Sequence, residues 1–246
     1  LALTNIRPVV APAGRVKTEL LDRLTGAYTA FQIARLSQTY FDLQDSGILA
    51  KLDGLFIRGL TAADSLINWV AGKPNAVNQG AAFSAGAGGG FTGDGTASWV
   101  DMAFAPTTYT LANAGLLAFV QSAVPGTDKH VIGGGSTTLA NARLAFTPTQ
   151  VTARLNTTTA TVASYSADRS GLWTVHRAGW QSIRRNGDLI ASSQVAAAAL
   201  PNALSLFREG GTYGAHTVSA FGYGGNLGEA EARRLADILT AHHRAI

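Results

Sequence analysis

The period of apolar and polar positions changes near residue 66, and that change divides the chain. Before it the spacing is helical. Leu20, Leu24, Ala27, Tyr28 and Phe31 fall at i, i+4, i+7, i+8 and i+11, with Asp22 and Arg23 off the stripe, as on one face of a helix. A second helical piece carries Leu36, Tyr40 and Leu43 and stops at Gly47; a third, shorter one has Ile48, Leu52, Leu55 and Phe56. Such stripes are packing surfaces, for the rest of the chain or for neighbouring subunits. Ahead of them, LALTNIRPVVAPAG (1–14) has no helical period and two prolines, and reads as an extended arm or linker.

Beyond residue 66, short runs rich in Val, Thr, Phe and Trp alternate with Gly, Asn, Pro and Ser clusters, which predicts a sandwich or jelly roll. Strands are expected near 67–71, 80–84, 98–104, 116–121, 130–134, 140–146, 150–155, 159–165, 172–178, 180–185, 188–192, 203–207 and 215–223. Asn186-Gly187 marks a type I′ hairpin, whose two central residues both need positive φ. Alternation from Trp180 puts Trp180, Ser182 and Arg184 on one side and Gln181, Ile183 and Arg185 on the other. The adjacent arginines therefore cannot clamp one anion, and they read as a solvated strand end. Trp99, Trp173 and Trp180 are expected in the core, and Trp69 as a packing anchor between helices and sandwich. The glycine runs Gly88-Gly89-Gly90 and Gly133-Gly134-Gly135 lack the ending of a phosphate loop and read as turns or bulges. In NLGEAEARRLADILTAHHRAI, Asn226 and Glu229 are spaced as a helix cap, Leu235, Ile238 and Leu239 give one apolar face, and Glu229 and Arg233 form an i,i+4 pair.

Composition narrows the function. The 246 residues suit one large all-β domain or a β domain with a smaller appendage. Apolar content of 46% is ample for a core, and charged residues are only 14% against about 25% in an average domain. The absence of cysteine excludes disulfides and thiolate metal sites. No apolar run reaches the roughly 18 residues of a membrane span, and the first residues lack the pattern of a signal peptide. A chain that begins with Leu is expected to be processed or truncated. The net charge of +4 is spread thinly with no Lys/Arg run longer than two, so no basic stripe for nucleic acid is present.

FTGDGTASWVDMAF (91–104) resembles the opening strand of laminin-G-like and concanavalin A-like jelly rolls. YTLANAGLLAFVQS, HVIGGGSTTLANARLAF, WTVHRAGWQSIRRNGDLIAS, LPNALSLF and VSAFGYGGNLGEAEARRLADIL resemble the later strands and closing helix of that fold, in order. The resemblance covers residues 66–246. It implies a mainly β, concanavalin A-like jelly-roll sandwich preceded by a short α-helical segment and closed by a C-terminal helix. The parts are an arm (1–14), a helical lead-in for attachment or oligomerisation (15–65) and the jelly roll with its helix (66–246). SGILAKLDGLFIRGLTAADSLINWVAGKPNAV resembles the segment before such domains in bacteriophage and prophage virion proteins. That implies a spike or fibre component at the surface of a virion or phage-like particle. Its partners would be a bacterial surface polysaccharide for host attachment, other virion proteins through the arm, and copies of itself. A purely structural subunit that positions another receptor-binding protein, and a glycan hydrolase or lyase, are the alternatives.

Hydrolysis needs two carboxylates flanking the scissile bond, roughly 5–5.5 Å apart in retaining and 6.5–9.5 Å in inverting enzymes. Between residues 90 and 225 the acids are Asp94, Asp101, Asp128, Asp168, Asp188 and Glu209, with no E-x-D-x-E-like cluster, which argues for a non-catalytic role. No G-x-S-x-G elbow is present, and His242 and His243, side by side, lack the spacing of a zinc site. Calcium has possible donors in Asp94, Asp101 and Asp128, but their spacing does not support it, and no cofactor is expected. A glycan patch would combine an aromatic ring with polar groups on rim loops. Two loops offer that mixture: Asp128, Lys129 and His130 in GTDKH, and Arg208, Glu209, Tyr213 and His216 in FREGGTYGAH.

Overall fold

The computed structural model describes residues 18–123, 129–134, 142–165 and 168–246. Helices α1 (Thr18–Leu21), α2 (Ala30–Asp45) and α3 (Ile48–Lys51) lead into strand β1 (Leu52–Ile57) and helix α4 (Ala62–Ser65). Strands β2 (Val77–Gln79), β3 (Ala82–Ser84), β4 (Gly90–Thr92), β5 (Trp99–Asp101), β6 (Asn113–Ser122), β7 (Lys129–Gly134) and β8 (Ala142–Phe146) follow. Next come β9 (Gln150–Leu155), β10 (Thr161–Ser164), β11 (Gly171–Ala178), β12 (Trp180–Arg185) and β13 (Asp188–Ser193). Strands β14 (Leu204–Leu206), β15 (Arg208–Glu209), β16 (Thr212–Tyr213) and β17 (Thr217–Gly224) precede the closing helix α5 (Glu229–His243).

The fold is a mainly β, concanavalin A-like jelly-roll sandwich of two antiparallel sheets. The first runs β13-β12-β11-β6-β17-β4-β3, with β1 also paired to β17; the second runs β10-β9-β8-β7-β14-β5-β2. Their inner faces share one core that includes Phe91, Val100, Phe146, Trp173, Val175, Ile183 and Phe221. A second apolar cluster joins the helices to the outer face of the first sheet. Leu36, Leu43, Trp69, Leu235 and Leu239 pack there on Leu117, Phe119, Leu172 and Ala220. Among the described residues that cluster holds no residue of the second sheet, whose outer face is left for other use.

The lead-in differs from its helical reading in two places. The stripe from Leu20 to Phe31 is not one helix: α1 ends at Leu21, and α2 starts after the capping box of Thr29 and Gln32. Asp64, almost fully buried, holds the intervening loop by accepting bonds from the N–H and hydroxyl of Thr25, the N–H of Gly26 and the Tyr28 hydroxyl. Burial would raise its pKa, but these bonds prevail and lower it. Phe31 consequently stands exposed. The third piece is helical only to Lys51, and Leu52–Ile57 is a strand paired to β17. Both of its faces are buried, with Leu55 and Ile57 toward the helices and Phe56 stacked on Phe221 at 4.9 Å. A strand apolar on both faces has no alternation to separate it from a helix.

The strand expected at 67–71 is likewise absent. Asn68 makes a single bridge to Phe56, and its side chain takes over the rest of the bonding: Oδ1 accepts from the N–H groups of Leu55 and Val70, and Nδ2 donates to the carbonyls of Asp53 and Pro74. Trp69 is the expected anchor, buried edge-on to His242. The cap of α5 is also shifted. The Gly228 N–H donates to the Glu231 carboxylate at 2.7 Å, while the Asn226 N–H donates to the side chain of Asn113. Gly90 and Gly133, read from sequence as turns or bulges, lie in β4 and β7. Asp94 and Asp101 accept nearby backbone N–H groups, of Thr96, Ala97 and Ser98 and of Ala103, so both carboxylates brace their own loops.

The hairpin at Asn186-Gly187 forms as expected, with φ of 51° and 88°. Its arginines do part to opposite faces, yet neither is a solvated end. Arg184 pairs with Glu229 at 3.1 Å, and Arg185 with Asp168 at 3.3 Å and with the Tyr165 hydroxyl. A Cβ on Gly187 would lie 2.9 Å from the backbone nitrogen of Arg233. Gly187→Ala is expected to cost about 1–3 kcal/mol, from the left-handed φ alone, read as a drop in urea midpoint with an unchanged slope. An unchanged midpoint would show that the turn relaxes freely. Trp173 is buried as expected, but Trp180 is not: it is 57% exposed, because Gln181 and Ile183 take the inward positions of β12.

Candidate functional site

Of the two stretches chosen from the sequence, His130 and the segment 207–213 meet on the outer face of the second sheet. Phe207, fully buried, turns the chain out of β14 with a left-handed φ of 68°. That conformation costs a bulky residue about 1–3 kcal/mol and persists only where its surroundings enforce it. Here the Phe207 N–H donates to the Val131 carbonyl, and its own carbonyl accepts from the Gly214 N–H at 2.7 Å. The result is the β15–β16 hairpin, laid across β7. Gly133 permits this close approach, since a Cβ there would sit 2.4 Å from the Arg208 carbonyl oxygen.

Under the hairpin, the Glu209 carboxylate lies 3.0 Å from Nδ1 of His130, 3.3 Å from Nε of Arg143 and 3.8 Å from Nη1 of Arg154. Arg143 and Arg154 face one another directly across β8 and β9. Like charges so placed repel, and Glu209 is the anion that makes the pairing tolerable. The contact is charge proximity more than aligned bonding: Nδ1 of His130 and Oε1 of Glu209 make no hydrogen bond among the described residues. Beside them Arg208 lies over the Trp99 ring, 4.6 Å from its centroid, and donates to the Gly210 carbonyl.

Of the residues expected at a site, His130 and Glu209 are thus in contact, with Arg208 and half-buried Tyr213 paired in the hairpin above them. His216 is fully buried, edge-on to Phe146, and belongs to the core side. Asp128 and the side chain of Lys129 lie outside the described residues. Sequence reading missed Arg143 and Arg154. Their signal was present in ARL repeated in two neighbouring strands, each arginine at the outward position between two buried apolar residues.

No protein-family model and no curated protein matches the chain. Solved structures do match. The chain shares its fold with botulinum neurotoxin receptor-binding domains. Against the type G receptor binding domain the TM-score is 0.58 at 13% identity, covering 76% of this chain and 51% of that one. The serotype D binding domain gives 0.58 at 8% identity, with 77% and 52% covered. The binding domain of botulinum neurotoxin DC in complex with rat synaptotagmin II gives 0.58 at 11% identity, with 78% and 52% covered. The chain therefore spans about half the length of these domains. At such identities the likeness is one of fold.

Proposed function

We propose that the chain is a non-enzymatic attachment module that binds a bacterial cell-surface polysaccharide on the outer face of its second sheet. The observation that carries this reading is the junction of His130, Arg143, Arg154 and Glu209 beneath the strained hairpin. It gathers hydrogen-bonding and charged groups at one place on the sheet that the helical cluster leaves free. Imidazole and guanidinium groups surround Glu209, where a glycosidase would set a second carboxylate across the scissile bond. The excess of arginine favours a polysaccharide that carries carboxylates or phosphates, and binding that weakens with salt. The solved structures of like fold are binding domains, the type G one a receptor binding domain, which fits attachment in general. Placement on a virion spike or fibre, with other virion proteins bound through the arm (1–14) and self-association through the helical lead-in (15–65), rests on the sequence resemblance of the lead-in.

The test is retention on immobilised host polysaccharide at two salt concentrations. Arg154→Ala and Arg208→Ala are each expected to weaken retention about tenfold, the scale of one lost charge-assisted hydrogen bond, with melting curves confirming that both fold. Failure to bind any host surface glycan would favour a purely structural subunit, and release of oligosaccharide would favour a hydrolase or lyase.

A further inference from the structure

A second surface, on the opposite side of the sandwich, takes no part in the proposed attachment site. Beyond the first turn of α5, the outer face of β11, β12 and β13 forms an open groove of about 290 Å³. Its lining includes His176, Trp180, Ser182, Arg184, Leu189 and Ser192. The strand registers order these groups. His176, Ser182 and Ser192 stand directly opposite one another, one row across three strands. Two strand spacings make that row roughly 10 Å wide. Trp180 lies two residues from Ser182 on the same face of β12, and Arg184 with Leu189 closes the other end.

Three features of the groove point to a ligand. The first is Trp180, the exposed large aromatic ring at its rim: an indole left in water is costly unless something covers it. The second is His176, only 3% exposed. Its Nδ1 accepts the Leu227 N–H at 3.3 Å, which places the ring proton on Nε2. That Nε2 has no hydrogen-bond partner among the described residues, so a buried donor goes unanswered in the lining of the groove. The third is charge. Arg184 pairs with Glu229, and Arg233 with Glu229 and Asp188, so two cations meet two anions and the rim is neutral.

We infer that this groove is a binding site for one uncharged pyranose ring of a saccharide, stacked on Trp180 and hydrogen-bonded by Ser182, Ser192 and His176. A ring with an apolar C–H face and a hydroxyl rim matches an aromatic platform beside a row of hydroxyls and one N–H donor. The volume, at the low end of the roughly 300–1,000 Å³ of small-molecule sites, fits a single ring and not an oligosaccharide. The neutral rim gives no reason for an acidic sugar, in contrast with the arginine-rich second sheet. This assignment stands apart from the attachment reading and does not require it.

The test is titration of the full chain with methyl glycosides of neutral hexoses and N-acetylhexosamines, followed by saturation-transfer NMR and tryptophan emission, with a methyl hexuronide as the charged control. At least one neutral glycoside is expected to bind saturably with a millimolar dissociation constant, no weaker than the hexuronide. Trp69 and Trp173 are buried and Trp99 lies beneath Arg208, so the emission change reports Trp180. Trp180→Ala is expected to weaken binding at least tenfold and Ser182→Ala severalfold, while retention on polysaccharide through Arg154 and Arg208 stays unchanged. Saturation by none of the neutral glycosides overturns the assignment. So does binding that Trp180→Ala leaves intact, or a Trp180 emission shift that follows protein concentration without sugar, which would make the groove a contact between copies of the chain.

Discussion

Acidification from pH 7 to pH 4 is expected to unfold the protein, with most of the loss near pH 5. Three histidines are buried without charge at the seam between the helices and the first sheet. Burial holds His176 down to about 3, with Arg184 adding to it, and His242 down to about 4, with Arg58 and Arg35 adding to it. Burial also holds His243 well below its ordinary value, with His242 and Arg58 adding to it. The sign follows from linkage. A histidine whose folded pKa lies below its unfolded value of about 6.5 contributes full stability above that value and loses it as pH falls toward the folded pKa. Each such group costs about 1.4 kcal/mol per pH unit in that window, so three together cost about 4 kcal/mol per unit. Over two units that rivals the 5–15 kcal/mol of a typical domain. Hydrogen bonds to Arg58 and Ser219 favour the charged forms of His242 and His243, but burial outweighs them. Nε2 of His242 faces the Arg58 carbonyl and its Nδ1 the Thr39 hydroxyl, while Nδ1 of His243 faces Ser219. Arg58, 1% exposed, already places a guanidinium in the seam, bonded to the carbonyls of Gly86 and His243.

The buried carboxylate of Asp53 does not blur this window. Asp53 accepts bonds from Thr107, Thr108, Tyr109 and Lys73. Burial would raise its pKa, but these bonds hold it at about 2, so its contribution is lost only below about 3.8. The check is urea unfolding at pH 7, 6 and 5, read from Trp69 against His242 and from far-UV dichroism. His243→Asn should flatten the pH dependence by about one proton. Equal urea midpoints at pH 7 and pH 5 would refute the assignment of these histidines.

Periodicity made strands with one buried and one solvated face legible, as in Gln150–Leu155, whereas β6, β11 and β17, buried on both faces, were legible from apolar and aromatic runs between Gly, Asn and Pro clusters. It failed where burial was two-sided, at Leu52–Ile57, and where one polar side chain took over backbone bonding, as Asn68 and Asp64 do. Neither effect leaves a complete local pattern, since Leu55 lies 13 residues from Asn68 and Thr25 lies 39 from Asp64. The candidate site was half legible. Rim-loop composition marked His130, Arg208, Glu209 and Tyr213, but the register that sets Arg143 opposite Arg154 is a property of strand pairing. Trp180 was misread for the converse reason: tryptophan in a strand is ordinarily core, and only the inward placement of Gln181 and Ile183 turns it out.

Glu209→Ala is the substitution expected to do most damage to the second sheet, at about 3–5 kcal/mol, the scale of stripping one member from a buried ionic cluster. Two guanidiniums face one another across β8 and β9, largely covered, with the Glu209 carboxylate between them and His130 beside it. Without that anion the arginines repel, and the hairpin loses what draws it against Gly133 while keeping the strain at Phe207. Calorimetric melting gives the magnitude, and proteolysis within 208–213 shows whether the hairpin has lifted. A loss under about 1 kcal/mol would place the cluster among solvated surface pairs. The more informative variant removes all the charge at once: Arg143→Met, Arg154→Leu and Glu209→Met together. Replacing a buried ionic group with apolar side chains of similar volume is often neutral or stabilising, so this triple variant is expected to recover most of the stability lost by Glu209→Ala. If it also retains polysaccharide, the cluster only docks the hairpin. If it folds and no longer binds, a costly arrangement of buried charge has been kept for the ligand, which is the outcome expected of an attachment surface.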